Sequence, residues 1–131
     1  MSCRIRLYDQ INQNMIYKGY ASSQPSQNKV VLTFGDEEHS FIWIIYHSAL
    51  IIESIADIHV FLILKENAHT VGHIDSEFGR IDIQCETSQL SIKNHSVKVK
   101  YAIVNGEDKQ DFMFTLMIDE GEDLCNLLIL N

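Results

Sequence analysis

The sequence contains very little proline and glycine, with one proline and six glycines among its 131 residues. That composition excludes collagen-like and low-complexity chains. No apolar run approaches the roughly 18 residues that a membrane-spanning helix needs, since the longest is Phe41 to Tyr46. The first residues move directly into an alternating pattern and lack the apolar stretch of a secretory signal. We therefore expect a cytoplasmic protein with no membrane span.

Cysteine and positive charge are also scarce. The three cysteines, Cys3, Cys85 and Cys125, are odd in number and widely spaced, which fits neither a disulfide framework nor a zinc site. They are expected to be free thiols in a reducing compartment. Ten basic residues face 18 acidic ones, for a formal charge of −8. The basic residues form no cluster, so the charge balance argues against nucleic-acid binding.

What the chain does have is apolar content, 46% of its residues, enough for the core of a single domain spanning residues 1–131. The most legible stretch is Ser96 to Glu120. Two arms of alternating apolar and polar residues flank Asn105-Gly106, and these two residue types tolerate the positive φ of tight turns. The stretch is therefore predicted to be an antiparallel hairpin. The residues expected on its buried face are Val97, Val99, Tyr101 and Ile103 in the first arm and Phe112, Phe114, Leu116 and Ile118 in the second.

The rest of the sequence repeats this alternation of apolar and polar residues, with turns at spacings typical of barrels and sandwiches. We count nine or ten short strands, with a loop predicted at Ser22 to Asn28, around the only proline, and a break at Ser88. Consecutive hairpins favour an all-β antiparallel meander closed into a barrel, because closure removes exposed strand edges. The tail from Leu124 to Leu130 is either a last strand or a covering helical turn.

The strands between Phe41 and Leu64 are apolar on both faces. In the first of them, Ile42, Ile44 and Tyr46 share one face, while Phe41, Trp43 and Ile45 share the other. A closed monomeric barrel buries only one face, and soluble monomers seldom expose several hundred Å² of contiguous apolar surface. We therefore expect the other face to be covered by the Leu124–Leu130 tail or by a second subunit, with a homodimer preferred.

A group of short motifs lies in the chain from Ser76 onward. They are Ser76-Glu77-Phe78-Gly79-Arg80-Ile81, Cys85-Glu86-Thr87, Val97 to Tyr101, and Asp111-Phe112 through Ile118. In these motifs the chain resembles the YwiB-like proteins, a bacterial family of uncharacterised function. The family typically has Thr-Pro-aromatic-Gly where this chain has Ser76 to Gly79. The resemblance implies a lipocalin-like calycin β-barrel, a fold whose members often bind small apolar molecules, although a fold does not determine a function.

The sequence contains no convincing catalytic or metal-binding motif. His69 and His73 are four residues apart, but in a strand that spacing is about 13 Å, too far for one ion. The acidic groups at Asp36–Glu38 and Asp119–Asp123 lack calcium-loop spacing. No phosphate loop and no nucleophile elbow is present. We therefore expect no catalytic residues, no metal and no cofactor, and an enzyme has no positive support.

Four aromatic residues at inward positions are the remaining candidates for a site. Trp43, Tyr101, Phe112 and Phe114 either line a ligand cavity or simply fill the barrel. Our leading hypothesis is a small β-barrel protein that binds a small apolar ligand at these residues. The alternative is a non-catalytic interaction module that dimerises or docks a partner through strands 41–64.

Overall fold

The computed structural model describes residues 1–130, and side chains up to residue 128, so position 131 of the predicted domain lies outside it. Ten strands are followed by one short helix. No helix within residues 1–130 has the length and apolarity needed to cross a membrane. The elements are β1 (Ser2–Asp9), β2 (Asn14–Ser26), β3 (Lys29–Gly35), β4 (Ser40–Ile45), β5 (Ala49–Ile55), β6 (His59–Lys65), β7 (Ala68–Ser76), β8 (Gly79–Ile92), β9 (Ser96–Asn105), β10 (Asp108–Glu120) and α1 (Leu124–Leu130).

The strands form one closed antiparallel barrel. Each strand pairs with the next along the chain, and β1 pairs with β10 to close the ring. The predicted all-β antiparallel meander closed into a barrel is confirmed. Closure leaves no long free edge for another chain to pair with.

The hairpin predicted at Ser96 to Glu120 is confirmed as β9 and β10. Tyr101 pairs with Phe112, Asn105 pairs with Asp108, and Gly106 in the turn has a φ of 65°. The predicted break at Ser88 is also found, as a register shift in the pairing of β8 with β9 between Thr87 and Gln89.

The loop predicted around Pro25 is wrong. Strand β2 continues through Pro25 to Ser26, and the turn to β3 contains only residues 27 and 28. Proline lacks the N–H that a central strand must donate. Pro25 is tolerated because β1 pairs with β2 only as far as Ser22, so Pro25 pairs with β3 alone and sits at a local edge.

The period of two places alternate side chains inside and outside the barrel. In β4, Phe41, Trp43 and Ile45 are buried in the interior, while Ile42 and Ile44 are partly exposed on the outer face. Buried residues from every strand except β7 form one hydrophobic cluster, and the partly buried Ile74 of β7 packs against it. The inward faces predicted for the central hairpin match this arrangement, with Val97, Val99, Tyr101, Leu116 and Ile118 buried.

The tail forms the helix α1, which closes one end of the barrel. Leu124, Leu127 and Leu128 are buried in the same cluster as the inward side chains of the strands. The Leu124 N–H donates to the Asn94 carbonyl at 2.9 Å, and His47 Nε2 lies 3.3 Å from the Leu128 carbonyl oxygen. The buried leucines of the tail therefore extend the interior core, whereas one of our alternatives placed the tail over the outer face of β4.

The meander gives the barrel two different ends. Turns alternate between the ends, so the turns at residues 27–28, 46–48, 66–67 and 93–95 lie with α1 at what we call the closed end. The turns at residues 10–13, 36–39, 56–58, 77–78 and 106–107 lie at the opposite end, which we call the open end.

Candidate functional site

A cavity of about 360 Å³ lies inside the barrel towards the open end. It exists because α1 supplies leucine side chains only to the closed end, which leaves the inward side chains near the open-end turns without a comparable filling. The predicted site residues Trp43, Tyr101, Phe112 and Phe114 all contribute to its wall. The aliphatic part of the wall comes from Leu7, Ile16, Ile52, Val60, Leu62, Ile74 and Ile103.

The aromatic side chains enter the cavity from opposite sides of the barrel. Tyr101 and Phe112 stack at a ring-centroid distance of 5.3 Å, and Phe114 lies 6.3 Å from each of them. Trp43 is on β4, five strands away from Tyr101 on β9 in either direction around the ring. An occupant between them would be in contact with aromatic side chains on two sides.

One of the aromatic residues brings a polar atom that lacks a hydrogen-bond partner within residues 1–130. The indole Nε1 of Trp43 is buried without a hydrogen bond, and Trp43 is only 1% exposed. Burial raises the pKa of the Tyr101 phenol, and the nearby Cys85 and Asp9 raise it further by smaller amounts, so the phenol stays protonated at neutral pH. Buried polar groups are normally hydrogen-bonded, so an unpaired one in a cavity wall calls for an explanation such as a bound molecule.

Asp9 is the one carboxylic acid that the described residues contribute to the cavity wall. It is the last residue of β1 and continues the inward row of Ile5 and Leu7, with only 7% of its surface exposed. Its carboxylate accepts hydrogen bonds from the Ile11 and Asn12 N–H groups at 3.1 and 3.0 Å and from the Asn12 side-chain amide at 2.8 Å. Burial alone would raise the pKa of Asp9, but these hydrogen bonds lower it below its ordinary value. The carboxylate is therefore ionised at neutral pH.

Asp9 is not among the site residues predicted from the sequence, so this role was missed. The signal that could have found it is the alternation of Cys3, Ile5 and Leu7, which makes position 9 the next inward one. A carboxylate at the end of an apolar row looks like the start of a turn. Asp9 serves both purposes, because it faces the interior and also binds the N–H groups of the turn.

A histidine, a serine and Gln110 add further polar groups to the wall. His39 Nε2 lies 2.7 Å from Ser54 Oγ, and the His39 ring lies 4.1 Å from the ring of Phe41. All three residues line the cavity. The wall is thus mainly apolar, with a few fixed polar groups, which is the usual make-up of a small-molecule site.

The histidines and acidic groups weighed in the sequence analysis lie on the outer surface. His69 faces Glu86 and His73 faces Asp75, each at 3.7 Å. Asp36 Oδ1 accepts the Glu38 and His39 N–H groups, which lower the pKa of Asp36. Within residues 1–130, no group of three or more His, Cys, Asp or Glu side chains is arranged to hold a metal ion.

The barrel is similar in fold to a solved structure. The crystal structure of the ywiB protein from Bacillus subtilis matches it with a TM-score of 0.61 over 92% of this chain and 89% of that chain, at 15% sequence identity. No family model and no curated protein matches the sequence. At this identity the likeness shows the fold alone, a YwiB-like β-barrel.

Proposed function

We propose that this protein binds a small apolar molecule in the cavity at the open end of the barrel. The observation that carries the proposal is the cavity itself, about 360 Å³ within a mainly apolar and aromatic wall. Small-molecule sites range from about 300 to 1,000 Å³ and have walls of this kind. A barrel whose aromatic residues served only as filling would pack them against each other and leave no comparable space.

We also propose, from the sequence resemblance together with the likeness in fold, that the chain belongs to the YwiB-like family of bacterial, calycin-type barrels. Its cysteines support a cytoplasmic location. Cys3 and Cys85 are buried and Cys125 partly so, and all three are free thiols, as is usual for proteins of reducing compartments.

A pair of matched variants tests ligand binding. Val60 lines the cavity, whereas Val71 lies on the outer surface and is 63% exposed. Val60→Phe adds a ring inside the cavity, and Val71→Phe adds the same ring outside. The neutral fluorophore N-phenyl-1-naphthylamine should bind wild type and Val71→Phe saturably at one equivalent, with affinity for Val60→Phe at least roughly tenfold lower, or about 1.4 kcal/mol.

Native mass spectrometry of the freshly purified protein provides the second measurement. A retained small molecule in wild type, absent from Val60→Phe, supports the proposal. Probe binding that is not saturable, or that is equal in the two variants, would show that the cavity is not a binding site.

As a second candidate function, we propose homodimerisation through the outer face of β3 to β6. Val31 pairs with Ile44, Ile44 with Ile51, and Ile51 with Ile63, which forms one apolar row across four strands. These side chains are partly exposed, and α1 packs at the barrel end instead of over them. A second copy would present the same row, as a two-fold interface requires.

Sedimentation equilibrium tests the dimer. Two chains of 15.1 kDa should sediment together, and Ile51→Lys should give monomers because it places a charge in the middle of the row. Met117→Lys, at an exposed position of β10 outside the proposed interface, is the control and should leave the dimer intact. A wild-type chain that is monomeric at all protein concentrations would rule this interface out.

A further inference from the structure

We infer that the molecule bound in the cavity is an apolar organic cation, with its charged nitrogen beside Asp9 and the aromatic rings of β9 and β10. The inference rests on the proposed function and specifies its ligand class. Three independent features point to positive charge: the state of Asp9, the aromatic wall next to it, and the distribution of charge around the open end.

Asp9 is a buried anion without a cationic partner. None of the ion pairs within residues 1–130 includes it, and no Lys or Arg lines the cavity. Its three hydrogen bonds come from neutral amides. Those bonds keep the carboxylate ionised but leave its charge uncompensated, and buried charges in proteins are usually paired. A cation in the cavity would supply the missing charge.

The rings beside Asp9 favour the same kind of ligand. Asp9 pairs across strands with Phe114, and Phe114 belongs to the cluster formed with Tyr101 and Phe112. Aromatic faces attract cations through their quadrupole, most strongly when water is excluded. A carboxylate next to aromatic faces is therefore complementary to an ammonium group that carries an apolar substituent.

The turns at the open end would repel an anion. They contain carboxylates at Asp36, Glu37, Glu38, Asp57, Glu77 and Glu107, and residues 10–13, 36–39, 56–58, 77–78 and 106–107 include no Lys or Arg. The nearby Arg80 and Lys109 are engaged by Asp75 and Glu86. An entrance of one sign raises the local concentration of ligands of the opposite sign.

Three ligands of equal chain length separate charge from apolarity. Decylammonium, decan-1-ol and decanoate would each compete with N-phenyl-1-naphthylamine at pH 7.5. The affinity for decylammonium should be at least about tenfold higher than the affinity for decan-1-ol, and decanoate should bind most weakly. If the alcohol or the carboxylate competes as well as the ammonium, the inference is wrong while the binding function stands. If neither the probe nor any of the three binds, both fail.

Asp9→Asn tests the carboxylate directly. It should reduce the preference for decylammonium over decan-1-ol to near unity. Asp82→Asn makes the same change at an exposed residue of β8 outside the cavity and should leave the preference unchanged. A preference that survives in a folded Asp9→Asn protein would overturn the role of Asp9. If circular dichroism shows that Asp9→Asn is unfolded, the comparison of the three ligands with wild type still decides whether the site selects a cation.

Discussion

The C-terminal helix should contribute a large part of the stability of this barrel. Leu124, Leu127 and Leu128 are 1%, 7% and 2% exposed, and all three join the interior cluster. Full burial of a leucine side chain contributes about 1.5–3 kcal/mol, so the three together contribute about 5–9 kcal/mol. A domain has only about 5–15 kcal/mol of net stability. Deletion of residues 124–131 should therefore unfold the protein or leave it aggregation-prone.

A single substitution makes the test quantitative. Leu128→Ala removes a side chain that is 2% exposed, and buried leucine truncations cost about 2–5 kcal/mol. Asn126→Ala is the matched control, because Asn126 is exposed on the same helix. Exposed substitutions usually change the free energy of unfolding by about 0.5 kcal/mol or less.

Urea denaturation can follow both variants through Trp43, which is the only tryptophan and is 1% exposed. The free energy of unfolding should fall by about 2–5 kcal/mol for Leu128→Ala, with an unchanged dependence on urea concentration. A loss below about 1 kcal/mol, or equal losses in the two variants, would mean that the helix is not docked in the barrel end.

Three further outcomes follow from the same structure. Phe114→Ala should lower the free energy of unfolding by about 3 kcal/mol, near the low end for phenylalanine because one side of the ring already faces the cavity, whereas Met113→Ala on the outer face should cost under about 1 kcal/mol. The melting temperature should not change with reductant, because all three cysteines are free; a clear drop would reveal a disulfide. Because its folded-state pKa is lowered, Asp9 stabilises the protein fully above about pH 4 and loses that contribution as the pH falls through the folded value. Wild type should therefore lose more stability than Asp9→Asn between pH 6 and pH 3.

The strands and their inward faces could be predicted because each depends on local alternation. The period of two in Ser96–Asn105 and Asp108–Glu120 also decides which aromatic side chains point inward. On that basis Tyr101, Phe112 and Phe114 are predicted to point inward, and the structure brings them into one cavity wall with Trp43. Whether they bind a ligand is a question that alternation does not answer.

The features that could not be predicted depend on contacts distant in sequence. The run Leu124–Leu130 is too short and too uniformly apolar to distinguish a strand from a helix by periodicity. Its position is set by the end of the barrel, which exists only once β1 has paired with β10. Likewise, Pro25 looks like a loop residue until the end of β1 shows that β2 has no strand partner on that side, where the missing N–H of proline is tolerated.

The two ends of the barrel differ in packing: the closed end holds the tightly packed core, and the open end holds the cavity. At the closed end, Val30, Ile45, Leu50, Leu64 and Val97 are 0% exposed, and α1 completes their packing. At the open end, Val60, Ile74, Ile103, Phe112 and Phe114 are only partly buried. Interior packing at native density is what makes core truncations costly, so that cost is concentrated at the closed end. The open end can then keep an unfilled cavity, a feature that would destabilise a barrel which relied on that end for its core.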